Sequence, residues 1–145
     1  MSAMREQDVE RIRRDHDHIL ELITRIKAEC IQRDSGQNCN ACQPNFRMVC
    51  RGNIEQLIKS FVEVTLKHNL IESMYMEEGV PSAHRAAHNR AHMEIAQQLK
   101  AIRVVFTADG NGIQAIEGVE QALVTLTTHF KDFDEELEGY LLAPA

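Results

Sequence analysis

Apolar residues recur at steps of three and four along four long stretches of this chain, a period that helices satisfy and strands do not. The first stretch carries Val9, Ile12, Ile19, Ile23, Ile26 and Cys30. The second carries Ile54, Leu57, Phe61, Val64 and Ile71, with Ile58 flanking the stripe. The third reads Ile95, Leu99, Ile102 and Phe106, and the fourth Ile116, Val119, Leu123, Leu126, Phe130, Phe133 and Leu137. No stretch alternates at period two for long enough to build a sheet. Breakers gather at three places: Asp34-Ser35-Gly36 on to Pro44, Gly79-Val80-Pro81, and Asp109-Gly110-Asn111-Gly112. Three breaks separate four helices of roughly 20 to 30 residues, so the expected fold is all-α, an up-down-up-down four-helix bundle. The 145 residues are one domain's worth.

Charge and hydropathy narrow the partners. A formal net charge of −6 offers no positive face for nucleic acid or for an anionic membrane. No apolar run approaches the roughly 20 residues of a membrane span, and the start, MSAMREQDVERIRRDH, lacks the apolar core of a signal peptide. The expected location is the cytoplasm.

The informative residues are the polar ones that interrupt the stripes. In the first stretch the stripe passes through His16, whereas His18 lies about 200° around the helix and faces solvent. The second stripe passes through His68 and reaches Glu72 a turn later. The third, followed back from Leu99 and Ile95, meets His92 and then His88. The fourth holds His129 beside Leu126 and Phe130, and Asp134 beside Phe133 and Leu137. A single histidine on an apolar face is ordinarily a satisfied core residue. Five imidazoles and two carboxylates from all four helices are another matter, because each would cost about 1–3 kcal/mol if buried unpaired. That sum rivals the roughly 5–15 kcal/mol that holds a domain together. A pair of divalent metal ions satisfies all seven, since neutral imidazole and carboxylate suit iron, manganese or zinc.

These motifs carry a family resemblance. A lone His16 in the first helix, His68-x-x-x-Glu72, a later His-x-x-x-His and His129-x-x-x-x-Asp134 together resemble bacterial hemerythrin domains. The likeness covers the whole chain except the cysteine-containing stretch at about 30–50. The frame Ile12-x-x-x-His16-x-x-Ile19-Leu20-x-Leu22-Ile23 is similar to the family's framing of its first ligand. Counting the same frame from His18 would put Glu21 on an apolar position. The resemblance implies two iron ions bridged by Glu72, Asp134 and an oxygen atom. His88, His92 and His129 would hold one ion. His16 and His68 would hold the other, leaving a coordination position open for O2.

The third helix offers two overlapping pairs, because His84, His88 and His92 all sit at steps of four. Pairing His84 with His88 leaves 12 positions after Glu72, and pairing His88 with His92 leaves 16, closer to the family's spacing. The second pairing is favoured, with His84 expected at the bundle mouth in solvent; an outer-sphere or access-path role is the alternative.

One large departure from the family stands out. His16 and His68 are 52 positions apart, and the excess contains Cys30, Cys39, Cys42 and Cys50. Cys39-x-x-Cys42 with two outlying cysteines fits a four-thiolate zinc site. It equally fits a redox pair whose disulfide state reports on the cell, or four reduced thiols packed as small apolar groups.

By resemblance, then, the expected function is reversible O2 binding, with NO as a further candidate ligand. Apolar neighbours such as Ile19, Leu57, Ile95, Leu126 and Phe130 would keep water from the metals. The chain reads as a non-enzymatic carrier or sensor. The sensor reading draws on the cysteines and on Leu141-Leu142-Ala143-Pro144-Ala145 running straight off the last helix, as into an output domain. Two alternatives stay open: a di-iron oxidase or peroxidase, and a protein of iron handling or NO-related iron repair. The oxidase class typically uses two Glu-x-x-His motifs, and this sequence has none.

Overall fold

In the computed structural model the backbone is described for residues 2–29, 44–77, 79–109 and 112–143. Side chains are described for residues 5–29, 52–77, 79–104 and 114–143. The elements are α1 (Ser2–Glu29), α2 (Pro44–Tyr75), α3 (Ser82–Asp109), α4 (Gly112–His129), a π-helical turn (Phe130–Asp134) and α5 (Glu135–Leu142). The last three run on as one rod, so the expected four-helix bundle is the observed one, with a single irregularity in its fourth member. Among the described residues there is no strand, and no helix is long and apolar enough to cross a membrane.

Neighbouring helices are antiparallel. Asn53 near the start of α2 donates to Glu29 at the end of α1, while Arg5 near the start of α1 donates to the Tyr75 carbonyl that ends α2. Between α2 and α3 the chain turns at Gly79, whose φ of 74° lies in the left-handed region that glycine enters without strain. The carbonyl of Pro81 then accepts the first hydrogen bond of α3, from the Arg85 N–H. At Gly118 on α4 the backbone passes so near Ile102 on α3 that a Cβ would lie 3.0 Å from its Cγ1.

The core divides into two apolar clusters. The larger gathers Ile19, Leu22, Ile23 and Ile26 with Ile54, Ile58, Phe61 and Val62, Ile95, Leu99 and Ile102, and Ile116, Val119 and Leu126. The smaller gathers Val9, Ile12, Met76, Val80, Leu137 and Leu141. The first helix and the fourth rod contribute apolar residues to both clusters, while α2 and α3 meet the smaller one through Met76 and Val80 of the turn that joins them, so the polar stretches of the four helices lie between the clusters.

On α2 the buried face is turned a little from the expected stripe. Ile58 lies in the core, and the line runs Ile54, Ile58, Phe61, Thr65, His68, Glu72, leaving Leu57, Val64 and Ile71 at its edge. Leu57 thus does not line the polar layer: it is eleven residues from His68, about 16 Å along the helix axis. Cys30, Cys39 and Cys42 lie outside the described residues, as do the side chains of Cys50 and Phe106.

Candidate metal centre

The polar layer holds every one of the seven residues singled out by the stripes. His68, Glu72, His88, His92, His129 and Asp134 are buried, and His16 is half-buried with its side chain 13% exposed. His18 faces solvent, as its position on the helix dictates.

All five imidazoles present Nε2 to the two carboxylates. Asp134 divides its oxygens between two sides: Oδ2 lies 2.7 Å from His16 and 3.8 Å from His68, and Oδ1 lies 2.9 Å from His88 and 3.0 Å from His129. Glu72 reaches both sides through Oε1, 3.2 Å from His68, 3.1 Å from His92 and 3.7 Å from His88. Donor atoms therefore fall into two groups, each within 4.8 Å: Glu72, His88, His92, His129 and Asp134, and His16, His68, Glu72 and Asp134. The carboxylates are common to both.

Local helix geometry explains the fourth helix's part. His129 and Asp134 are five residues apart, and a regular α-helix would set them about 140° from each other. Within the π-turn the Glu135 N–H donates to the Phe130 carbonyl, five residues back, and the wider turn brings Asp134 onto the face of His129. Apolar periodicity predicts a regular helix through this stretch, and the π-turn is the departure from it, signalled by the five-residue spacing of His129 and Asp134.

Hydrogen bonding alone does not satisfy the cluster. His88 Nε2 and His129 Nε2 stand 3.2 Å apart, so only one of them can donate. Glu72 Oε2, Asp134 Oδ1 and His68 Nε2 are fully buried without a hydrogen bond of acceptable geometry, despite the short separations. Lone pairs converging this closely suit cations better than protons, and the donor set of imidazole nitrogen and carboxylate oxygen fits a first-row divalent metal.

Charge compensates charge in the layer. Burial works to raise the pKa of both carboxylates, yet bonds from the surrounding imidazoles prevail, holding Glu72 at a pKa of about 2 and Asp134 well below its ordinary value. Burial pushes His68 and His88 down, but Asp134 and Glu72 overcome it and raise them to about 10 and about 9. His92 is depressed by burial, which the bond to Glu72 only partly offsets.

Around the cluster lie further polar residues, of which periodicity flags only His84. Asp15 Oδ2 is 3.0 Å from His68 Nδ1. His84, expected in solvent, is instead buried: its Nε2 lies 2.9 Å from His88 Nδ1, and its Nδ1 lies 3.4 Å from Glu136 Oε1. Its ring also packs edge-on against Tyr140, with 5.2 Å between centroids, which closes the mouth that would have left it wet. Burial and the His88 charge hold its imidazole below the ordinary value. Glu138, a further buried carboxylate one turn beyond Asp134, points away to Arg13 at 2.8–2.9 Å. Beside it a groove of about 670 Å³, lined by Arg13, His16, Thr127, Phe130, Lys131 and Glu135, opens to solvent. His16 stacks on Phe130 there, with ring centroids 3.7 Å apart.

Fold and site together define a metal-binding helical bundle with a shared imidazole–carboxylate centre. The family model described as Hemerythrin HHE cation binding domain matches residues 4–141, and the chain belongs to that family. No curated protein matches the chain, and no solved structure does.

Proposed function

We propose that this protein binds O2 reversibly at a pair of iron ions, as an oxygen carrier or as the oxygen-responsive part of a sensor. One observation carries the reading: two donor groups, one with three histidines and one with two, meet at the same pair of carboxylates. His88, His92 and His129 would hold one ion, His16 and His68 the other, with Glu72 and Asp134 bridging. When bound, the iron pair supplies two electrons and an open coordination position for O2.

What the chain itself contributes is orientation, access and exclusion of water. The two-histidine side has one donor fewer, and its His16 borders the groove, so that side is the one a small molecule reaches. Ile19, Ile95 and Leu126 in the larger cluster and Ile12 and Leu137 in the smaller close the layer above and below. In the groove Arg13 and Glu138 are paired with each other, and neither is aimed at the metal donors. That pairing favours gas binding over turnover of an organic substrate.

The test is the visible absorption of iron-loaded, reduced protein before and after air. A charge-transfer band that appears with air and disappears on degassing is expected. A spectrum that air leaves unchanged, or a change that degassing never reverses, overturns the reading.

A further inference from the structure

Of the five imidazoles whose Nε2 faces the carboxylates, two have a partner for Nδ1 that orders the ring. His68 has Asp15 at 3.0 Å, and His88 has His84 at 2.9 Å. By contrast, Nδ1 of His92 and of His129 is buried with no hydrogen bond. Each side of the centre thus has one histidine fixed from behind, directly by a carboxylate on the two-histidine side and through a second imidazole on the three-histidine side.

The second arrangement has a forced direction. A neutral imidazole carries one N–H. If His88 offers the Nε2 lone pair to a metal, its proton sits on Nδ1, and the neighbour there must accept it. The neighbour is His84 Nε2, so the His84 proton is on Nδ1, where it faces Glu136 Oε1 at 3.4 Å. Tyr140 Oη donates to the same Glu136 oxygen at 3.2 Å. Packing holds the intermediate ring in place: His84 is edge-on to His88 at 5.0 Å and 85°, and to Tyr140 at 5.2 Å and 68°. Every contact in the row agrees with one assignment of protons.

We propose that His84, anchored by Glu136 and Tyr140, is a positioning residue that fixes the tautomer of His88 and strengthens it as a metal donor. The proposal rests on the iron-pair reading and adds to it a residue outside the seven donors. An outer-sphere acceptor on a ligating imidazole raises its basicity, and loss of such a partner typically lowers metal affinity about 10–100-fold. A more basic donor also favours the ferric over the ferrous ion. Removing His84 therefore weakens iron on one side of the centre and raises its reduction potential.

The experiment compares wild type with His84→Leu, which fills the space without an acceptor, and His84→Gln, which restores one. Iron per chain, affinity by competition with a chelator, and midpoint potential are measured on each. Wild type is expected to hold two irons; if it does not, the iron-pair reading fails before the inference is reached. Given two, His84→Leu is expected to bind one of them about 10–100-fold more weakly and at a higher potential, with His84→Gln recovering most of both. Wild-type affinity and potential in His84→Leu would overturn the inference while leaving the reading intact. Outright loss of one iron in both variants would also overturn it, by making His84 a ligand. Should His84→Leu fail to fold, Glu136→Leu takes its place, because that side chain is 55% exposed. A several-fold loss of affinity there supports the inference, and no change overturns it.

Discussion

Asp134 Oδ1 lies 3.0 Å from His129 Nε2 although five residues separate them, a distance that only the π-turn between them permits. The same carboxylate faces His88, His16 and His68, so one side chain joins contributions from three helices. Replacing it by alanine leaves four imidazoles without their common acceptor. In metal-stripped protein Asp134→Ala is expected to cost about 3–5 kcal/mol at neutral pH, the usual penalty for removing one partner of a buried charged set. Urea denaturation measures it; a cost under about 1 kcal/mol would show that Asp134 does not organise the layer.

The protonation of the layer gives a pH dependence with a definite sign. His68 and His88, at about 10 and about 9 in the folded chain, compare with an ordinary 6.5. Their stabilisation is complete below 6.5 and drains away as pH rises through 9 and 10. Glu72, at about 2 against an ordinary 4.5, contributes fully above 4.5 and loses its contribution as pH falls toward 2. Metal-stripped protein should therefore have a higher denaturation midpoint at pH 5.5 than at pH 9, at constant ionic strength. Iron must displace the same imidazole protons, so its affinity should rise over that range. Equal midpoints at the two pH values would refute the assignment.

His92 and His84 separate donor from neighbour. His92 Nε2 meets Glu72 at 3.1 Å, whereas both His84 nitrogens are turned to other partners. At saturating iron His92→Ala is expected to lose iron from the three-histidine side, and His84→Ala to retain two irons per chain. Metal analysis decides this, and the reverse pattern would move the donor pair to His84 and His88.

Thr65 is fully buried on α2, one turn before His68, and its hydroxyl has no hydrogen-bond partner. Valine has nearly its shape and no hydroxyl to desolvate. Thr65→Val should raise stability by about 1 kcal/mol in a denaturation series. A loss of that size would mean the hydroxyl has a bonding role in solution.

Much of this was readable from periodicity because a donor aimed into a bundle must replace an apolar residue at a core step. His16 stands between Ile12 and Ile19, and His92 precedes Ile95 by one turn, so the stripes located them. Three features escaped for identifiable reasons. The π-turn hid in a spacing of five, which neither helical step allows. His84 shares the step of four with His88 and His92, yet its burial depends on Tyr140 and Glu136 from a distant part of the chain. Asp15 and Glu136 lie at the edge or outside of their helices, where a carboxylate looks like any solvated charge until its partner is known.

Two irons sharing Glu72 and Asp134 are the feature on which the proposed O2 binding depends. X-ray absorption at the iron edge, on protein reconstituted with Fe(II) and counted for metal, tests this directly. Two irons per chain with iron–iron scattering at a separation within about 4 Å is the predicted result. A single iron per chain, or two with no iron–iron scattering, would contradict it.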